Sequence, residues 1–163
     1  VRLIAFAAKG GGDGETITVN GKTKAYLLIG QNFTDDKYFC GRPSANNYNA
    51  AASGGSNKSI KNSDYITTVK ARIDTFMKHN PTVERKQIPL ELMTASGSGL
   101  DPHISLESAK IQVPRIAKNR NIDKDIINKI IEDNTEKPFL WFIGINKVNV
   151  VKLNLALDKI KTD

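Results

Sequence analysis

One cysteine in 163 residues, Cys40, excludes an internal disulfide and a cysteine-based zinc site. That leaves the compartment open, because a lone thiol suits the cytoplasm and equally an exported domain that does without bridges. Cys40 follows Tyr38 and Phe39 and reads as a small buried apolar residue, not as a nucleophile. Long apolar runs are also missing: the opening VRLIAFAA is apolar in seven of eight residues, far short of the about 20 that a bilayer-crossing helix needs. Lys and Arg outnumber Asp and Glu by 24 to 17, yet no block of five or six basic residues occurs. The charge therefore reads as a solvated mixed surface and singles out neither nucleic acid, nor an anionic membrane, nor an acidic partner.

Catalytic signatures are scarce as well. Gly21-Lys22-Thr23 matches the end of a phosphate-binding loop, but the glycine that motif requires is replaced by Thr16. No G-x-S-x-G elbow surrounds Ser98, and no H-E-x-x-H pattern accompanies His79 or His103. Ser96, Ser98, Asp101 and His103 supply the residue types of an acyl-transfer site. Such sites draw their members from separated segments, however, and these four are nearly adjacent. Asp101 and His103 lack further ligands for a metal, so Asp101-Pro102 is read as a turn in which His103 bonds the glycine-rich backbone. No metal site is expected.

What is present describes one domain, long enough to bury roughly two thirds of its unfolded surface. TITV and KTK flank Asn20-Gly21, which predicts a tight hairpin, and AYLLIG continues it as an extended buried segment. Residues 33–62 have no helical period and form a long loop. Tyr65, Ile66, Val69, Ile73, Phe76 and Met77 predict a helix capped by Asp64 and stopped at His79-Asn80-Pro81. IPLELMT alternates and predicts a strand with Ile88, Leu90 and Leu92 on one face. A helix capped by Ser105 runs to Arg120, kinked or broken at Pro114, with Gln112 placed to satisfy a freed carbonyl. Another follows Asp123, FLWFIGI reads as a central buried strand, and a last helix after Asn149 carries Val150, Leu153, Leu157 and Ile160. The fold class is α+β, or mixed α/β: a small sheet packed with about four helices.

Function is expected in the polar loops GQNFT (30–34), RPSA (42–45), SGGSN (53–57) and TASGSGLDPHIS (94–105). Glycine lets backbone amides and carbonyls approach a partner closely. The contact candidates are Asn32, Arg42, Ser44, Ser53, Gly54, Gly55, Ser56, Asn57, Ser96, Gly97, Ser98, Gly99, Asp101 and His103. Gln112 and Arg115 from the QVPRIAKNR segment join them. Arg42 and Arg115, each beside a proline, suit a carboxylate or phosphate, although an internal salt bridge or a helix C-cap contact is the more ordinary use of each.

These motifs, with KVNVVKLNLALD at 147–158, resemble in order and spacing the C subunit family (KdpC) of the Kdp-type potassium-transporting ATPase, from about Ala25 to Asp158. The departures are modest: a short loop between RPSA and SGGSN, Cys40 itself, and Leu106 where many relatives have proline. The resemblance implies that residues 1–14 are the end of an N-terminal membrane helix and a linker. Residues 15–163 would then form a soluble extracytoplasmic domain at the bacterial inner membrane. It implies partners, a channel-like potassium-translocating subunit and a P-type ATPase subunit, and no catalysis by this chain, which lacks the DKTGT phosphorylation motif. No cofactor is bound covalently, and ATP is reached through the complex. The family's implied role is stabilising assembly, or acting as a catalytic chaperone that raises ATP affinity, with Gln112 and nearby polar groups as nucleotide contacts. A rival reading comes from IAKNRNIDKDIINKIIEDN, two short helices around a turn, as in a helix-turn-helix DNA-binding protein. Its second helix is isoleucine-rich and carries Asp125, Glu132 and Asp133, so it offers no evident recognition face.

Overall fold

The structure, a computed structural model, describes residues 10–11, 14–19, 22–138 and 144–160. Among these described residues two antiparallel sheets and five α-helices make an α+β fold. Strands β1 (Thr16–Val19) and β2 (Lys22–Tyr26) form the predicted hairpin, with a bulge between Ile17 and Thr18. Its Asn20-Gly21 turn lies outside the described residues, as do the opening apolar segment and residues 139–143 of FLWFIGI. Ile145, at the end of that segment, is exposed. The second sheet has the order β3–β5–β4, built from β3 (His103–Ser105), β4 (Thr135–Glu136) and β5 (Lys147–Asn149). Among the described residues no helix is long and apolar enough to cross a membrane.

Helix α1 spans Ser63–His79. Its cap is Asn62, whose side chain accepts from the Tyr65 amide at 2.9 Å, and not Asp64, which sits in the first turn where its charge suits the helix dipole. Asn80 closes the helix through backbone and side-chain bonds to the Phe76 carbonyl. Ser105 caps α2 (Leu106–Lys110) by accepting from Ser108 N, and the chain then breaks before α3 (Val113–Arg120). The break falls where Pro114 takes a first-turn position, in which its missing N–H costs nothing. There the Gln112 amide N–H bonds Ala109 O, leaving Ser108 O to the Gln112 side chain at 2.9 Å. Asp123 caps α4 (Lys124–Asp133), and Asn149 caps α5 (Val150–Asp158) by accepting from Val151 N and Lys152 N.

The core is the space between β5 and helices α2 to α5. Ile104 and Val148 from the sheet meet Ile116, Ile127, Ile131, Leu153 and Leu157. Burying each of these aliphatic chains contributes about 1.5–3 kcal/mol. Phe39 inserts from the irregular half, held by Asn154, whose amide accepts from Phe39 N at 2.8 Å and donates to Phe39 O at 2.9 Å.

One expected strand is absent from the described chain, and one expected extended buried segment forms only in part. IPLELMT forms a 3₁₀ turn at Leu90–Leu92, shortly after another at Arg85–Gln87. Pro89 withholds a ladder donor, Leu90 is 71% exposed, and the consecutive Leu92 and Met93 are both buried, so the period of two does not hold. AYLLIG leaves the hairpin at Tyr26 and turns. Leu27 N bonds Glu15 O, Gly30 N bonds Leu100 O at 2.7 Å, and Leu28 is exposed.

Candidate functional site

The polar loops converge. Ser96 N donates to Pro43 O at 3.1 Å, Gly54 N to Ser98 O at 2.8 Å, and Ser53 Oγ to the same carbonyl at 3.1 Å. Ser44 Oγ lies 2.7 Å from Gly99 O and 2.6 Å from Asn46 Oδ1, while accepting from Tyr48 N at 2.8 Å. Segments about 50 residues apart thus form one polar face. The glycines act where contact is closest: Gly99, at φ +70, lies against Gly54 O and Asn46 Oδ1, and Gly55 lies against Gly97 O. A side chain at Gly99 would meet both strain and collision.

Tyr48 adopts a left-handed φ of 57, uncommon for a bulky residue, and its hydroxyl donates to Arg42 O at 2.6 Å. Together with the Ser44 bond, this closes residues 42–48 into a tight loop. Arg42 reaches Asp101 at 3.3 Å, joining the base of that loop to the segment that leads into β3. Ser53, Asn57, Gly97 and Ser98 face solvent, Ser56 is half-buried, and Ser96 is buried. Asn32 is exposed on the neighbouring segment, next to the Gly30–Leu100 tie.

Gln112 and Arg115 sit elsewhere, beneath residues 36–40. The Gln112 carbonyl oxygen accepts from Cys40 N at 2.9 Å, Cys40 Sγ at 3.1 Å and Arg115 Nη2 at 2.8 Å, and its amide donates to Cys40 O and Ser108 O. Arg115 also donates to Asn80 Oδ1 at 3.0 Å and Asp36 O at 2.6 Å. Both residues are buried and spend these polar groups inside the fold. Burial pulls the Arg115 pKa down, and the charge of Asp36 opposes it. Burial pushes the Cys40 thiol up, so the reactive thiolate is disfavoured.

His103 does not bond the glycine backbone, as the sequence suggested. Its ring nitrogens face two carboxylates: Nδ1 lies 3.4 Å from Asp101 Oδ1 and Nε2 3.3 Å from Glu136 Oε2. Neither nitrogen is therefore directed at Ser96 or Ser98, and the proton-transfer pairing of an acyl-transfer site is not formed. The His103 side-chain bond holds the Asp101 carboxyl below its ordinary value against the opposing effect of burial, helped by the His103 amide and Arg42. Burial pushes Glu136 up, but the Lys152 hydrogen bond and the charges of Lys152, His103 and Lys147 leave it lowered. Among the described residues no cluster of His, Cys, Asp and Glu is arranged to hold a metal.

Sequence reasoning missed Asn46, Tyr48 and Glu136. Ser44-x-Asn46 is a turn-forming spacing and offered a signal for the first two; nothing local marks Glu136, whose partners lie in other segments.

A family model described as KdpC, K+-transporting ATPase, c chain, matches residues 2–159. A potassium-transporting ATPase KdpC subunit of Phocaeicola vulgatus is 48% identical over 96% of this chain and 84% of its own length. One from Flavobacterium psychrophilum is 49% identical over 97% and 85%, and one from Bacillus cereus is 49% identical over 82% and 69%. These matches span the loop face, the core helices and the two-helix segment that alone suggested DNA binding, so they decide between the two readings. The chain belongs to the KdpC family, the c chains of K+-transporting ATPases.

Proposed function

We propose that this chain is a non-catalytic accessory subunit of an ATP-driven potassium uptake complex, and that its loop face is the surface on which the other subunits assemble. The observation that carries this reading is the convergence of residues 42–57 and 96–101 into one solvent-facing polar surface, bonded from within by Ser44, Ser53, Gly54 and Arg42. A surface ordered before contact loses less conformational freedom on binding, which favours a docking role. In this proposal an N-terminal membrane helix anchors the domain outside the cytoplasm. It contacts the channel-like and P-type subunits from there and has no direct access to cytoplasmic ATP.

The test is reconstitution of the pump with and without the full-length form of this chain, with potassium-stimulated ATP hydrolysis and complex integrity measured together. Joint loss of activity and assembly is the expected result. A complex that forms but needs more ATP would favour the catalytic-chaperone role instead, and no change in either readout would overturn the proposal.

A further inference from the structure

The three-stranded sheet carries a row of alternating charges on the face opposite its core. Ile104 and Val148 point inward, while His103, Lys147 and Glu136 stand on the outer face. β3 and β4 flank β5, and the His103 imidazole, 15% exposed, reaches across β5 to Glu136. Arg42 binds Asp101 at 3.3 Å, Asp101 and Glu136 hold the two ring nitrogens, and Glu136 receives Lys152 at 3.1 Å, with Lys147 at 3.7 Å. The Arg42 charge also acts on Glu91.

A neutral imidazole has one N–H and one lone pair, so either tautomer would set a lone pair against one of these carboxylates. Only the imidazolium turns positive charge toward both, at ion-pair distances of 3.4 and 3.3 Å. We propose that protonated His103 is the positioning residue of the loop face, a tie that holds the glycine-rich loop to β4 and slackens when the ring loses its proton. The tie joins Asp101, at the base of residues 94–101, to the strand beside α5. Its protonation therefore sets how firmly Gly97 to Gly99 are held against Ser44 and Gly54. The meaning for assembly rests on the loop face being a contact surface; the tie itself does not.

The test separates the two. In the chain alone, ring nitrogen and backbone amide resonances are followed from pH 5 to pH 9, with His79→Gln removing the only other histidine. The expected result is double ring protonation of His103 at the acid end. The Gly99 and Gly54 amides, which donate to Ser96 O and Ser98 O, should then shift with the His103 midpoint, and their exchange, corrected for intrinsic rates, should speed up roughly tenfold as the ring deprotonates. Glu136→Gln, which keeps the side chain's shape, should uncouple the amides from the ring. Amides indifferent to the His103 midpoint, or a neutral ring tautomer throughout the range, would overturn the proposal. If the coupling is seen and the pump nonetheless assembles without this chain, the tie stands and the assembly role falls.

Discussion

Among the described residues from Ile104 to Leu157 the chain is ordered mainly by enclosed aliphatic side chains; from Gly30 to Asp101, helix α1 apart, it is ordered mainly by hydrogen bonds to backbone. In the first region Ile116, Ile127, Ile131, Leu153 and Leu157 are fully buried, whereas in the second Phe39 is the one large apolar residue so enclosed among the described residues. Ser44, Asn46, Tyr48, Ser53 and Arg42 carry the second region instead. Apolar burial is non-directional and tolerates shape changes that keep volume. A net of directed bonds fixes a surface in place but gives less free energy per contact. A domain that must stay folded and also present a defined polar face has reason to divide the work in this way.

The seam between the two regions is the sharpest place to test that division. Arg115, 5% exposed, joins Asn80 and residues 36–40 to Gln112 on the helical side. Arg115→Met strips these acceptors of a buried cation and should cost about 3–5 kcal/mol, read from urea denaturation. Arg115→Lys should recover only part of this, because one ammonium cannot reproduce the guanidinium's spread of donors. Arg42→Met removes an ion pair at 24% exposure, and its cost should stay within about 1 kcal/mol. Equal costs for the two arginines would erase the distinction between seam and face.

The division also explains what could be read in advance. Helices α3 to α5 were legible because isoleucine and leucine spacings, Asp123 and Asn149 are local signals. The Pro114 break was legible for the same reason. IPLELMT failed because a period of two arises by chance over seven residues, and a proline within it permits 3₁₀ turns. The polar loops could be recognised as functional by composition. Their pairing could not, since nothing in a serine says that Ser44 will meet a carbonyl 55 residues away. Glu136 became visible as a partner of His103 only once β5 had been placed between their strands.

Two glycines of one loop divide the face itself. A methyl group at Gly99 would lie 2.8 Å from Gly54 O and 2.5 Å from Asn46 Oδ1 at a φ of +70, while one at Gly97 would meet nothing within 4 Å. Gly99→Ala should therefore cost about 2 kcal/mol and abolish amide protection at Gly54, with the helical core unaffected. Gly97→Ala should change stability by less than about 0.5 kcal/mol. Because Gly97 is exposed, it should act on complex assembly alone, measured by retention of the partner subunits. Spread of the Gly99→Ala effect into α4 amides would show that face and core unfold as one unit.

A further contact to test lies where the turn before the loop meets the helices. The Glu91 carboxylate accepts from Ser105 N at 2.8 Å and from the buried Ser108 hydroxyl. Burial pushes Glu91 up, but the bonds from Ser105 and Ser108 leave its pKa lowered. A lowered carboxyl adds stability above its unfolded pKa, near 4, and loses it as pH falls through the folded value. Ser108→Ala removes one of those donors and should cost about 1 kcal/mol at pH 7. That difference from the parent chain should shrink toward pH 3, as Glu91 becomes protonated in both proteins. Urea midpoints at the two pH values decide it: a difference unchanged by acid would mean that Ser108 acts through packing, and that even this contact belongs to the apolar region.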